Sequence, residues 1–203
     1  QCFIHAVEKY QYDGIFVDMD TVTLAGAVGV DVDLPEDEPG RCRKSCLNDL
    51  AEVDDLKPID ISNCRYVSNW VECVRILKSH FGDELFVRGN CDQAPFSLAS
   101  MMRGPENWLL DLLGDKQRAH KLLEYCTDIS CQFIRLMADT GCDMVSNGDS
   151  PAGPAMISPT MYREFALPYE KRIVETAHQL GLSYVLHICG DTTSLLPAMA
   201  RTG

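Results

Sequence analysis

The chain has 203 residues, of which 46% are hydrophobic and 24% are charged, and its formal net charge is −12. This composition is that of a soluble globular domain and excludes an intrinsically disordered segment. The negative charge argues against nucleic acid and anionic membrane surfaces as partners, because both require clustered lysine and arginine. No apolar run approaches the roughly 20 residues of a membrane-spanning helix, and we expect a cytoplasmic protein.

Ten cysteines are scattered through apolar and helical segments of the chain. A disulfide framework is typical of much shorter secreted modules, so reduced thiols that are buried or bind metal are the better interpretation. Cys126 and Cys131 fall within a predicted amphipathic helix, and Cys91 follows the start of a predicted strand. We expect these three side chains to lie in the core. For Cys91, the alternative is an extra thiol near a site at the strand end.

The first strand is predicted over residues 15–17, after a helix over residues 1–11. Asp18 and Asp20 follow this strand, two positions apart. Carboxylates at a strand end can act as general acids, anchor a substrate cation or cap a helix. The capping interpretation fits Asp20, because residues 21–28 read as a helix.

A second strand is predicted to begin at residues 85–87, after an irregular, acidic segment over residues 31–63. Between them, residues 62–81 form an amphipathic helix. Its apolar side consists of Val67, Val71, Val74, Ile76 and Leu77. The strand leads into a polar loop over residues 88–96 and a helix over residues 97–102, an arrangement that brings substrate groups to backbone N–H donors.

The third unit ends in another strand-end carboxylate, Asp149. Two helices are predicted over residues 107–113 and 116–137, and the strand follows over residues 143–146. Asp149 occupies a position parallel to that of Asp20, so we expect both carboxylates at the same edge of a sheet.

The last strand ends in His187 and Cys189, two positions apart. Residues i and i+2 of an extended chain point to the same face, so these side chains should project side by side while Ile188 packs the other way. An imidazole nitrogen and a thiolate sulfur are half of a tetrahedral zinc site. A core cysteine beside a histidine that bonds the backbone is the alternative.

Helices surround this last strand and complete a repeating pattern. One helix begins at Ser158, with Pro159 in its first turn, and restarts at Pro168. The final helix is predicted over residues 195–200. The order of strand, polar strand-end loop and helix therefore occurs four times, which predicts a parallel sheet with its site at the carboxyl edge.

Four sets of motifs along the chain match one known family. They are Asp13-Gly14-Ile15 with Asp20 and Gly29, Ala94-Pro95-Phe96-Ser97-Leu98-Ala99, Ser158-Pro159 with Tyr162-Arg163-Glu164-Phe165 and Leu167-Pro168-Tyr169, and His187-Ile188-Cys189-Gly190. Together they resemble the uroporphyrinogen decarboxylase superfamily, in its corrinoid-dependent methyltransferase branch. The resemblance implies an α/β fold of the (β/α)8 TIM-barrel type, here a partial barrel with about four β/α units. We therefore expect residues 1–203 to form one domain that is a fragment, lacking the first and the last barrel strands.

The resemblance also implies a reaction. By analogy with the methyltransferases, His187 and Cys189 are zinc ligands, and a third ligand, a cysteine, is expected beyond Gly203. The zinc holds a small acceptor thiol as the thiolate, which takes a methyl group from a methylcobamide carried by a separate corrinoid protein. Asp20 matches the carboxylate that contacts the pyrrole N–H groups in the decarboxylases. Asp149 is expected to hold the substrate or to bond the histidine.

Two other functions remain open at the level of the sequence. One is a metal-free decarboxylase that acts on a tetrapyrrole through Asp20. The other is a non-catalytic relative that binds a corrinoid or a partner protein. Four strands also leave two open edges, and pairing of two copies into a homo-oligomer is one way to cover them.

Overall fold

The computed structural model describes residues 1–18 and 20–203. In chain order the elements are α1 (Cys2–Tyr10), β1 (Gly14–Val17), α2 (Thr23–Ala27), β2 (Asp31–Asp33), β3 (Arg41–Lys44), α3 (Arg65–Phe81), β4 (Phe86–Gln93), α4 (Pro95–Arg103), α5 (Pro105–Gly114), α6 (Lys116–Ala138), β5 (Met144–Gly148), α7 (Pro159–Phe165), α8 (Leu167–Gln179), β6 (Ser183–His187) and α9 (Leu196–Met199). Short 3-10 helices cover Leu50–Asp55, Gly82–Glu84 and Ser150–Ala152.

One parallel sheet contains β1, β4, β5 and β6 in that order. All three strand pairs are parallel, because each strand is followed by helices that return the chain to the other end of the sheet. The carboxyl ends of the four strands therefore meet at one edge. This confirms the predicted parallel sheet and its repeating strand and helix units.

The helices pack against one face of the sheet and leave the other face open. Val87 and Val145 are fully buried, and a Cβ atom at Gly89 would approach Met137 of α6 to 2.7 Å. These strand residues therefore face the helices. Phe16 and Phe86 lie on the opposite face and are 37% and 46% exposed. In a closed barrel that open face would be the interior.

Strand β4 is longer than the sequence analysis predicts. Residues 88–93, expected as a polar loop, continue the strand to Gln93. The polar residues Arg88 and Asn90 alternate with buried Gly89 and Cys91, so the segment has the period of a strand with one polar face. A strand with one polar face has the composition of a loop, which is why the prediction of a loop is wrong here.

Two further predictions were wrong in detail. The segment over residues 31–63 is not wholly irregular: β2 and β3 form an antiparallel pair. Arg41 and Arg43 of this pair both form ion pairs with Asp33, so charge rather than an apolar pattern marks it. Ile76 is 49% exposed, because it lies beside the buried stripe of α3 rather than within it.

The predicted core cysteines are confirmed. Cys91, Cys126 and Cys131 are buried, and burial raises the pKa of the Cys91 and Cys126 thiols well above the ordinary value. None of the described cysteines forms a disulfide. No helix within the described part of the chain is both long enough and apolar enough to cross a membrane.

Candidate functional site

A cleft of about 350 Å³ opens at the carboxyl edge of the sheet, on the face that the helices leave uncovered. All four strands or the segments that follow them contribute to it. Its lining includes Phe16, Asp18, Arg88, Asn90, Ser146, His187 and Cys189. Polar residues of distant segments meet here because the parallel strands end at the same edge.

His187 and Cys189 project side by side into this cleft, as their spacing predicts. The Nε2 atom of His187 lies 3.1 Å from the Sγ atom of Cys189, and both side chains are exposed. Ile188 between them is buried, and a Cβ atom at Gly153 would approach its Cγ2 atom to 3.0 Å. The side chain of Ile188 thus anchors the backbone that presents the other two.

Hydrogen bonds from the segment after β5 hold the main chain of this pair. The Asp149 N–H donates to the carbonyl oxygen of His187 at 2.8 Å. The Cys189 N–H donates to the Oγ atom of Ser150 at 3.3 Å. The pair is therefore positioned through its backbone, and its imidazole and thiol remain open to the cleft.

The donor chemistry of the pair fits two corners of a zinc tetrahedron. Zinc bonds to nitrogen and sulfur are about 2.1 and 2.3 Å long, which places two such donors about 3.5 Å apart, close to the separation of His187 and Cys189. Among residues 1–18 and 20–203, no group of three or more His, Cys, Asp or Glu side chains is arranged to hold a metal. The described residues thus supply two donors.

Asp20 lies away from this pair. Its Oδ1 atom accepts a 2.9 Å hydrogen bond from the Val22 N–H and a bond from the Thr23 hydroxyl at the start of α2. It lines a separate depression together with Tyr66 and Trp70. These bonds form a turn just before α2, whose N-cap residue is Val22 and carries no side-chain cap, so the predicted capping role of Asp20 is wrong.

Asp149 is fully buried behind the cleft. Its Oδ1 atom accepts hydrogen bonds from the Ser97 N–H at 2.8 Å and the Ser97 hydroxyl at 2.6 Å. Its link to His187 is through the main chain, and the hydrogen bonds that its carboxylate accepts among the described residues come from Ser97. The expected bond from Asp149 to the histidine ring is replaced by a backbone bond.

Glu170 of α8 is buried beside Asp149 and accepts a hydrogen bond from the Tyr162 hydroxyl. Burial raises the pKa of Asp149 to about 6, and burial together with the Asp149 charge raises the pKa of Glu170 well above its ordinary value. Within the described residues, no N–H or O–H group meets Asp149 Oδ2 or Glu170 Oε1. Two adjacent carboxyl groups of this kind are stabilised when they hold a proton between them.

Arg88 lies in the cleft and was not predicted as a site residue from the sequence. Its guanidinium carbon lies 4.0 Å from the centre of the Phe16 ring, and its Nε atom donates a 3.1 Å hydrogen bond to Ser146 Oγ. Beside it, the Asn90 amide donates to Asp18 at 2.9 Å. The alternation of polar and small residues over 87–91 was the signal that could have found this face.

Asp92 was also missed as a site residue. It is 2% exposed, has a φ angle of 59° and lies at the base of the cleft. Its Oδ2 atom accepts a 2.6 Å hydrogen bond from the Leu24 N–H. Burial raises the pKa of this carboxyl to about 7, so it changes charge near neutral pH.

The sequence as a whole matches one protein family: the family model for uroporphyrinogen decarboxylase (URO-D) covers residues 1–203. The chain belongs to the URO-D family. Relatives of this URO-D chain include two kinds of enzyme. The methylcobamide:CoM methyltransferase MtbA of Methanosarcina mazei is 33% identical over 160 residues, which are 79% of the chain and 46% of the relative. The uroporphyrinogen decarboxylase of Mycobacterium ulcerans is 30% identical over 201 residues, or 96% of the chain and 54% of the relative.

A solved structure supports the fold of the URO-D chain. A methyltransferase from Methanosarcina mazei superposes with a TM-score of 0.88 and 19% identity, over 98% of the chain and 58% of that protein. The predicted resemblance to the family and its methyltransferase branch is confirmed, as is the α/β fold of the TIM-barrel type. The chain spans about half the length of the curated relatives it matches.

Proposed function

We propose that this chain carries part of the site of a methyltransferase that moves a methyl group from a methylated corrinoid to a thiol. The observation that carries the proposal is the exposed imidazole and thiol of His187 and Cys189, 3.1 Å apart at the carboxyl edge of the sheet. A relative with 33% identity is named a methylcobamide:CoM methyltransferase, which supports the same class of reaction.

His187 and Cys189 would hold a zinc ion with further ligands from outside the described residues. Bound zinc stabilises a coordinated thiol as its thiolate at neutral pH. The contribution of this chain is to fix the two donors. The buried side chain of Ile188 and the bonds from Asp149 and Ser150 hold the backbone, so that neither donor has to be reorganised when the site forms.

In the proposed reaction, the acceptor sulfur forms a bond to the methyl carbon while the cobalt–carbon bond breaks. The electron pair of the cobalt–carbon bond stays with the cobalt. The methyl group would be presented to the cleft by a corrinoid that a separate protein carries.

Elemental analysis of the full-length protein tests the metal, because the described residues supply two donors. Wild-type protein should bind zinc, and the Cys189→Ser and His187→Ala variants should lose most of it together with methyl transfer from methylcobalamin to a thiol. Cys2→Ser is the matched control, because Cys2 is an exposed cysteine on α1, outside the cleft. Unchanged zinc content and activity in Cys189→Ser would contradict the proposal.

A second candidate is a metal-free decarboxylase that acts on a tetrapyrrole. It is favoured by the match to a uroporphyrinogen decarboxylase along 96% of the chain. Asp20 would be the acting carboxylate, although it already accepts hydrogen bonds from the Val22 N–H and the Thr23 hydroxyl. Conversion of uroporphyrinogen to coproporphyrinogen that survives His187→Ala but is lost in Asp20→Asn would favour this function. Corrinoid binding without turnover of either substrate would instead indicate a non-catalytic relative.

A further inference from the structure

We propose that Asp92 is a catalytic base of the cleft and accepts the proton that the acceptor thiol gives up. This inference rests on the proposed methyl transfer and adds a residue to it. A thiol is a nucleophile only as its thiolate, so each methyl transfer releases one S–H proton. The proposed site therefore has a use for a proton acceptor besides the two donors that would hold zinc.

Few groups of the cleft can take this role. Apart from Arg88, the titratable side chains that line the cleft in the described part of the chain are Asp18, Asp92, His187 and Cys189. The imidazole and the thiol are the proposed zinc ligands. Asp18 is exposed, accepts a hydrogen bond from Asn90 and acts through its charge on Arg88. Asp92 differs from Asp18 because it lies at the base of the cleft and is 2% exposed.

The two carboxyl oxygens of Asp92 have different surroundings. The Oδ2 atom accepts the 2.6 Å hydrogen bond from the Leu24 N–H in α2. Within the described residues, no N–H or O–H group meets the buried Oδ1 atom in hydrogen-bond geometry, although the Gln93 amide is close enough to act on the carboxyl group. A buried polar atom without a partner is costly. The Oδ1 atom is therefore available to accept a proton.

A bulge at the end of β4 sets the position of Asp92. The register with β5 shifts between Asn90 and Gln93, and Asp92 has a φ angle of 59°. The Asp92 N–H donates to Asn90 Oδ1 at 2.9 Å, and the Asn147 amide of β5 donates to the Cys91 carbonyl oxygen at 2.6 Å. Bulges redirect a side chain from the alternation of the strand and occur beside active sites. The fold thus holds the Asp92 carboxyl group in place by contacts from two strands.

The register of the sheet relates Asp92 to the His187 and Cys189 pair. Its neighbour Gln93 lies opposite Gly148, which lies opposite His187. Neighbouring strands are about 4.8 Å apart, so the main chains of Asp92 and His187 are about 10 Å apart. A thiol bound at the pair lies within this gap, and one water molecule is enough to carry its proton to Oδ1.

The surroundings of Asp92 suit a base that works near neutral pH. Burial raises the pKa of Asp92 to about 7, and the charge of Asp20 adds to this effect, while hydrogen bonds oppose it. Asp92 also acts on the Cys42 thiol of β3 and on the Cys91 thiol, and the pKa of each is raised mainly by burial. In the proposed step the S–H bond breaks, its electron pair stays on sulfur and the proton goes to Oδ1. Asp92 returns the proton to water after the sulfur has bonded to the methyl carbon.

Two thiols of different acidity test this assignment in the full-length protein. A base matters most for a weakly acidic thiol, so Asp92→Asn should slow methyl transfer from methylcobalamin to 2-mercaptoethanol by ~100-fold or more. Transfer to the more acidic trifluoroethanethiol should fall by less than ~10-fold. Zinc content should not change, because asparagine keeps an oxygen acceptor for the Leu24 N–H. An equal loss with both thiols would overturn the assignment, since a structural defect does not depend on the acidity of the thiol.

Asp143→Asn is the matched control. Asp143 also accepts a main-chain hydrogen bond, from the Val87 N–H at 2.7 Å, but it pairs with Lys78 and does not line the cleft. Its replacement should affect the two thiols to the same extent, whatever its effect on stability. A larger loss with 2-mercaptoethanol than with trifluoroethanethiol in this variant would remove the specific role of Asp92.

The pH dependence of the wild type supplies a test that does not require a variant. Between pH 5.5 and 9, kcat should rise through the pKa of Asp92, about 7, at the same pH for both thiols. A rise that moves with the acidity of the thiol would belong to the thiol itself and would overturn the inference.

Infrared spectroscopy tests the titration of Asp92 without turnover. The wild type should lose a protonated carboxyl band between pH 6 and 8 that Asp92→Asn lacks, and an unchanged band would contradict the assignment. Absence of methyl transfer in the wild type would show that the proposed function is wrong, and the role of Asp92 would fail with it. Methyl transfer that Asp92→Asn slows equally for both thiols would leave the function intact and remove only the base.

Discussion

The main-chain N–H of Asp149 donates a 2.8 Å hydrogen bond to the carbonyl oxygen of His187. This bond joins the exposed end of β6 to a carboxylate that is fully buried and bonded to Ser97 at the start of α4. The main chain of His187, whose imidazole is proposed to bind zinc, is thus bonded to a residue with a buried carboxyl group. We expect changes at this carboxyl group to alter both the stability of the protein and the binding of zinc.

Glu170→Gln should reduce the pH dependence of stability. The raised pKa of Asp149, from 3.8 to about 6, and that of Glu170 mean that the folded protein binds more protons than the unfolded chain. Their stabilising contribution is therefore present below about pH 4 and is lost as the pH rises through 6. Glutamine would remove the like charge and donate to Asp149, so the variant should be more stable than the wild type at pH 8.

Denaturant unfolding between pH 4.5 and 8 measures this difference. Glu164→Gln is the control, since Glu164 is a glutamate of α7 that pairs with Lys116 at the surface. It should follow the wild-type pH profile. A Glu170→Gln variant that is less stable than the wild type at every pH would contradict the shared-proton interpretation.

Asp92→Asn should stabilise the protein above neutral pH. Burial raises the pKa of Asp92 from 3.8 to about 7, so its contribution to stability is lost as the pH rises through 7. Asparagine keeps an oxygen acceptor for the Leu24 N–H and tolerates the φ angle of 59°. The free energy of unfolding of the variant should match the wild type near pH 4 and exceed it at pH 8.5. Asp92→Ala, which leaves that N–H unpaired, should be less stable by ~1–3 kcal/mol at both pH values.

Gly89→Ala should destabilise the fold by ~1–3 kcal/mol through overpacking. The added Cβ atom would lie 2.7 Å from Met137 Cγ and 2.9 Å from its Sδ atom. Gly114→Ala should be close to neutral, because a Cβ atom there meets nothing within 4 Å. Unfolding of Gly89→Ala, Met137→Ala and the double variant should show that the second change relieves part of the first. If the losses of unfolding free energy in the two single variants simply add in the double variant, the strain in Gly89→Ala does not arise from contact with Met137.

Ser150→Ala should weaken zinc binding without unfolding the protein. The Ser150 hydroxyl accepts the 3.3 Å hydrogen bond from the Cys189 N–H, so its removal loosens the backbone of a proposed ligand. We expect a fall in zinc affinity of up to ~10-fold, measured by competition with a chelator. Ser68→Ala is the control, since the Ser68 hydroxyl bonds within α3 at the surface. Unchanged affinity in Ser150→Ala would show that Ile188 and the Asp149 N–H position the pair without the Ser150 bond.

The sequence by itself determined the repeating strand and helix units, the parallel sheet and the juxtaposition of His187 and Cys189. These features follow from local rules, because the period of a strand or helix and the direction of residues i and i+2 depend only on nearby residues. The turn that Asp20 forms is local for the same reason, since its partners Val22 and Thr23 follow closely in the chain.

Only the tertiary structure decided the length of β4, the burial of Asp149 and the place of Arg88 in the cleft. The partners responsible are remote in sequence: Ser97 and Asp149 are 52 residues apart, and Arg88 and Ser146 are 58 residues apart. A polar residue at a strand end gives the same sequence pattern whether its side chain faces a cleft or a buried helix terminus. Its partner across the sheet or beneath it determines its burial, its pKa and its chemistry.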